Sequence, residues 1–167
     1  MSHNPEIADS RDAVTRRTWI GSAVASTLLL VSGAGKRVLL AERVAATGML
    51  VYASPDCGCC RAWIEHVEAN GFVAAPQFVN DVTPIKRKRG VPEKLWSCHT
   101  AVVGDYAIEG HVPADLIHKL LHAKAPIAGL AAPGMPNGAP GMEGPVKDRY
   151  EVISFTRTGR TEVFATR

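Results

Sequence analysis

From Met49 onward the alternation and spacing of apolar positions divide the chain into short elements. "MLVYAS" (49–54) is an apolar run rich in strand formers that ends in Ser-Pro, which predicts a buried strand running into a turn. From Cys57 the spacing becomes helical. Cys60, Trp63, Ile64 and Val67 fall at i, i+3, i+4 and i+7, and Asn70-Gly71 supplies a left-handed stop. "FVAAPQFVN" (72–80) predicts a second strand, bent at Pro76. Val91-Pro92 predicts an extended turn, and "TAVV" and "YAIEG" predict two strands joined by a tight hairpin at Gly104-Asp105. Pro113 suits the first turn of a helix whose Leu116, Ile117, Leu120 and Leu121 face the core.

Strand, helix, strand, then β-hairpin and helix is the thioredoxin-like order, so the expected class is α/β with that arrangement. Between Pro126 and Pro145, ten of twenty residues are Gly or Pro. Helices and sheet interiors reject that density, which predicts a long loop, and loops of such length inside small domains are functional or disordered. Met135 and Met142 favour function, because a solvated linker has little use for apolar thioethers whereas a flap over a soft metal does. "YEVISFTRTGRTEVFAT" predicts a C-terminal hairpin turning at Thr158-Gly159-Arg160.

The first 46 residues read differently. Arg16-Arg17 precede an apolar stretch from Trp19 to Val31 and then small residues, the layout of a twin-arginine-like export signal. Thirteen residues at about 1.5 Å each do not cross a hydrocarbon core about 30 Å thick, so no permanent membrane span is expected. Cleavage can follow Ala34 or Ala46, which predicts a cleaved signal at 1–46 and one thioredoxin-like domain at 47–167. The whole chain of 167 residues carries a formal charge of +3. Removing residues 1–46 takes away six basic and four acidic residues and leaves +1. A nearly neutral domain with no aromatics interleaved among Lys86-Arg87-Lys88-Arg89 is no nucleic-acid binder, and the basic run reads as a solvated helix end or loop.

Three of the four cysteines sit in "SPDCGCCRAW". Cys57 and Cys60 form a C-x-x-C at a strand-to-helix junction, where the helix N-terminus lowers thiol pKa and favours the thiolate. That form serves redox exchange and metal binding alike. A redox pair needs two thiols, whereas Cys59 and Cys98 add two more. With imidazole and thioether available the donor set is soft, which selects Cu(I) and makes Zn(II) the chief rival. Four thiolates exceed the need of one Cu(I) ion, so bridging of several coppers is expected. Two disulfides, Cys57–Cys60 and Cys59–Cys98, are the structural alternative; neighbouring Cys59 and Cys60 fit disulfide geometry poorly.

Among the histidines, His99 follows Cys98 directly, and His111 lies in "EGHVP" just before a helix, where it can turn toward the first helix's N-terminus. His66 lies opposite the first helix's apolar stripe and reads as a bystander. His118 and His122, beside Asp115, have the i, i+4 spacing of a surface metal clip but more often form a solvated face.

Four blocks, "SPDCGCCRAW", "GVPEKLWSCHTAVV", "IEGHVPADLIHKLL" and "GLAAPGMPNGAPGME", resemble in sequence and order the CopG-like periplasmic metal-binding proteins associated with copper resistance. The resemblance implies a thioredoxin-like fold, copper bound through the cysteine motif and a role in copper tolerance in the periplasm. It places Cys57, Cys59, Cys60 and Cys98 as thiolate ligands and His111, Met135 and Met142 as supporting or flap ligands, with His99 in a matching motif. Sequestration of Cu(I) is the expected function. A thiol-disulfide oxidoreductase using Cys57 and Cys60, or a chaperone handing copper to other copper-handling proteins, are the competing readings.

Overall fold

In the computed structural model, which describes residues 47–167, β1 (Thr47–Ala53) runs into a turn at Ser54–Asp56 and then into α1 (Gly58–Ala69). The helix starts at Cys57, which stays extended as N-cap. It stops where Asn70 leaves helical geometry and Gly71 turns to φ 88°. β2 (Phe72–Phe78) pairs parallel with β1 and carries Pro76 on a sheet edge, where the missing donor is harmless. A short α2 (Thr83–Arg89) and a 3-10 turn (Glu93–Leu95) lead to β3 (His99–Val103), which hairpins through Gly104-Asp105 into β4 (Tyr106–Gly110). α3 (Ala114–Ala123) returns the chain to β5 (Gly129–Ala132), and β6 (Glu151–Phe155) and β7 (Thr161–Thr166) form the C-terminal hairpin. The seven strands lie in one mixed sheet, in the order β2-β1-β3-β4-β5-β6-β7. No helix among the described residues is long and apolar enough to cross a membrane. The twin-arginine-like segment at 1–46 lies outside the described residues.

Alternation divides the core between the two faces. Met49 and Val51 of β1, Ala101 and Val103 of β3, Ile108 of β4 and Leu130 of β5 pack with Trp63 and Val67 of α1 and with Ile117 and Leu120 of α3. On the opposite face Ala107, Ala131 and Phe155 pack under Val91 and Leu95. Trp63 is fully buried, and its indole N–H donates to the Val112 carbonyl at 2.9 Å, tying α1 to the segment before α3.

Three expectations are corrected. The Gly/Pro-rich stretch is not loop throughout, because Gly129–Ala132 forms a fully buried strand between β4 and β6. A strand covered on both faces shows no polar alternation, and here Gly129 is required: a Cβ there would lie 1.9 Å from the Ala107 carbonyl oxygen. The basic run is not uniformly solvated, since Lys86 is buried against Glu109. Nor is His66 a bystander. Its Nε2 accepts from the Ala114 N–H at 3.1 Å, capping an otherwise unpaired donor at the start of α3, a position that Pro113 leaves without a side-chain cap.

Gly129→Ala is expected to destabilise the domain by about 3 kcal/mol, read as a lower urea midpoint at unchanged slope. For His66, burial lowers the imidazole pKa below 6.5 while the Glu143 and Asp115 carboxylates pull it upward. Only the neutral ring can accept from Ala114. The stabilisation is therefore complete above pH 6.5 and is lost as the pH falls through the depressed folded-state value. His66→Ala should cost about 1 kcal/mol at neutral pH. Denaturation curves at several pH values should show the gap between wild type and variant closing on acidification.

Candidate metal centre

The end of β1 and the start of β3 meet because these strands pair antiparallel, with Ala53 opposite His99. Four residues beyond Ala53 is Cys57, and one residue before His99 is Cys98. The first turn of α1 spaces the other two sulfurs: Cys60 faces the core and is fully buried, whereas Cys59 points to the half-exposed side, toward Cys98. The four cysteine sulfurs form one group, with Cys57 Sγ 3.5 Å from Cys59 Sγ and Cys59 Sγ 3.9 Å from Cys98 Sγ. Two thiolates on one tetrahedral ion at about 2.3 Å stand about 3.8 Å apart, so the Cys59–Cys98 spacing suits a shared soft metal.

Cys57 and Cys60 are joined as a disulfide, and Cys59 and Cys98 are free. The thiolate expected at Cys57 therefore belongs to the reduced protein. Half of the structural alternative is realised, the second pair being unbonded. Cys57 Sγ still caps α1 by accepting the Cys60 N–H at 3.3 Å.

Cys98 is also the centre of a second group, with His99 Nδ1 at 3.3 Å and His111 Nε2 at 3.1 Å. His111 Nδ1 lies 2.8 Å from the Pro140 carbonyl, which can only accept. The proton is thus on Nδ1, and the Nε2 lone pair faces the sulfur. Burial lowers the pKa of His111, with the Pro140 carbonyl and Glu143 opposing, and lowers that of the fully buried His99 further. Both rings are neutral and able to ligate. His99 Nε2 is buried with no hydrogen-bond partner. Burial first, and then the nearby Cys59 sulfur, push the Cys98 thiol up to about 12 against the Ser97 hydrogen bond, so without metal it keeps its proton. A metal that displaces that proton finds thiolate sulfur beside neutral imidazole, a donor set that fits copper or zinc.

The Gly/Pro-rich segment lies against this group. At Gly141 a Cβ would stand 2.7 Å from both the Cys59 carbonyl oxygen and the Trp63 nitrogen, so only glycine lets the backbone rest on the first turn of α1. Bonds from Gly138 N to Met142 O and from Met142 N to Ala139 O, both 2.8 Å, close the segment on itself. Met142 is half-buried and lines an open cleft with Gly141 and Glu143, whereas Met135 is 44% exposed. The six nearest candidates, Cys57, Cys59, Cys60, Cys98, His99 and His111, are thus brought together, and Met135 faces solvent. The surface clip is not formed: His118 Nε2 lies 2.8 Å from the Asn70 carbonyl, its ring stacks on Phe72, and Asp115 pairs with Arg167. Sequence reasoning missed the Pro140 carbonyl and the contact at Gly141. The signal available was a Pro-Gly step between two candidate ligand segments, which marks a turn but not what it touches.

The mixed α/β domain thus gathers thiol and imidazole donors from three separate segments at one end of its sheet, the arrangement of a candidate metal site. Two solved structures of the copper resistance protein CopG, its forms 1 and 2, are each 43% identical to this chain with a TM-score of 0.69. They cover 73% and 72% of it respectively, and 98% of their own length. The chain belongs to the CopG copper resistance protein family. A family model described as a protein of unknown function, DUF411, matches residues 95–142, which include Cys98, His111 and most of the Gly/Pro-rich segment but not the Cys57 motif. No curated protein matches the chain.

Gly141→Ala, strained at φ 80° as well as crowded, should lift the segment from α1 and break the His111–Pro140 bond. The expected readout in nitrogen-15 spectra is a protected His111 Nδ1 proton in the wild type that exchanges with water in the variant.

Proposed function

We propose that this chain is an exported, thioredoxin-like copper-binding protein that sequesters Cu(I) in the periplasm as part of copper tolerance. The observation that carries the reading is the position of Cys98: thirty-nine residues from Cys59 in sequence, it brings its sulfur within 3.9 Å of that residue and 3.1 Å of the His111 imidazole. The sheet order β2-β1-β3-β4, with β1 and β2 parallel and β3 antiparallel between β1 and β4, supports the thioredoxin-like reading. The names of the two CopG structures support copper as the cargo.

Cys57, Cys59, Cys60 and Cys98 are the thiolate ligands, bridging more than one Cu(I), with His111 and His99 as imidazole donors. Met135 and Met142 act as flap ligands, which requires Met135 to turn inward from solvent. The Cys57–Cys60 bond must first open. Two electrons and two protons from an external dithiol convert it to two thiols, and the dithiol leaves as its own disulfide. Metal uptake then displaces the thiol protons, so capacity depends on both redox state and pH.

A second reading, thiol-disulfide exchange through Cys57 and Cys60, is favoured by the bond between these residues at the α1 N-cap. Anaerobic Cu(I) titration separates the two. Reduced protein is expected to take up more than one Cu(I) per chain, with Zn(II) displaced by Cu(I). Disulfide-bonded protein should take up less, and Cys98→Ala should lose tight uptake. A Cys98→Ala variant that reduces insulin at the wild-type rate, in a protein whose copper uptake never exceeds one ion, would instead establish the exchange reading.

A further inference from the structure

Beneath the metal centre lies a buried charged cluster that ligates nothing. Glu109 of β4 and Lys86 of α2 form an ion pair, with side chains 0% and 5% exposed. The Glu109 carboxylate also accepts from the Thr100 hydroxyl at 2.7 Å and from the Ser97 backbone N–H at 2.6 Å, and Lys86 Nζ donates to the Thr100 hydroxyl at 3.1 Å. Every member is satisfied within the cluster, and one contact leaves it: the Ser97 N–H, adjacent to Cys98.

Burying two charges costs several kcal/mol per ion, and apolar residues of similar volume often do as well or better for stability. An ion pair at this position needs a reason besides cohesion, and the neighbouring contacts supply one. Ser97 and Cys98 lie between the 3-10 turn and β3, with no ladder bond from Ser97 to a neighbouring strand. Three successive residues of β4 and its exit meet this bend: Glu109 accepts the Ser97 N–H, Gly110 packs without a side chain against that of Ser97, and His111 Nε2 meets the Cys98 sulfur. A Cβ on Gly110 would come within 2.6 Å of the Ser97 Cβ, so the approach is as close as the backbone permits.

We infer that Glu109, locked by Lys86 and Thr100, is a positioning residue that holds the Ser97–Cys98 bend so that the Cys98 thiol faces both Cys59 and His111. The inference rests on the metal-binding reading for its consequence, but the placement of Cys98 can be measured without metal. Outer partners of this kind typically change metal affinity by about 10- to 100-fold.

The test uses two variants of the whole domain, Glu109→Gln and the apolar double variant Lys86→Met/Glu109→Leu, because the single variant strands a buried lysine and can unfold. In metal-free protein with Cys57–Cys60 joined, diamide closes a Cys59–Cys98 disulfide, taking up the two electrons and two protons. Mass spectrometry follows the rate. The double variant is expected to melt no lower than wild type, yet to form this bond at least about tenfold more slowly, since small misplacements of reacting atoms carry large rate penalties. It should also bind Cu(I) about 10- to 100-fold more weakly against a chromophoric chelator. A folded double variant that cross-links at the wild-type rate overturns the inference, and so does loss of fold in both variants, which would make the pair a structural strut. Failure of the wild type to bind Cu(I) would end the copper reading and leave the cross-linking result to decide this one.

Discussion

The register between β1 and β3 governs the candidate metal centre. Antiparallel pairing sets Ala53 opposite His99, so the strand end that launches α1 lies beside the strand start that carries Cys98. Side chains alternate with period two, and a slip of one residue would turn His99 and Ala101 to the other face and carry Cys98 away from Cys59. The core enforces the register. Val51, Ala101, Val103 and Ile108 pack on one face under Trp63, and each is fully buried. The same apolar burial that holds the sheet together therefore fixes sulfur-to-sulfur distances at its end. Trp63 links the two most directly, with its ring 4.4 Å from the His99 ring and its indole N–H on Val112, the residue after His111.

Electrostatics at the centre follow from burial. Desolvation favours neutral forms, which keeps the Cys98 thiol protonated and the His99 and His111 rings uncharged, while Pro140 selects the tautomer that leaves a lone pair toward the sulfur. The result is that Cys98, His99 and His111 carry no charge to repel one another in the folded protein. The buried Lys86–Glu109 pair fits this pattern, because it is internally neutral.

How much of this could be read from residues alone depends on whether a signal was local. The strands, helices and turns from Met49 to Phe78 and from His99 to Ala123 were legible because apolar periods of two and near 3.6 sat between clear Gly and Pro punctuation. The C-terminal hairpin was legible for the same reason. β5 was not. Gly129–Ala132 is too short to show a period, is apolar on both faces, and lies in a composition that argues for loop. The candidate ligands Cys57, Cys59, Cys60, Cys98, His99 and His111 could be picked out by residue type and do converge, but the disulfide state of Cys57 and Cys60 could not be read from spacing. Lys86 was misread because three neighbouring cations are exposed or half-buried and helix phase alone distinguishes the fourth. Its partner Glu109, a lone acid in the apolar strand "YAIEG", was the visible clue. His66 was misread because its acceptor role depends on where α3 begins, a contact 48 residues away.

The segment from Asn137 to Asp148 is rich in residues that are flexible or turn-forming in isolation, yet here it is tied off. Asp148 receives bonds from the Asn137 backbone and amide, the chain bonds to itself around Gly138 and Met142, and Gly141 rests on α1. Conformational entropy is consequently lost when the chain folds and not when an ion arrives. On the proposed reading, Cu(I) capture approaches a lock-and-key event on this side of the site, with rearrangement confined to the Cys57–Cys60 bond and the exposed Met135 side chain.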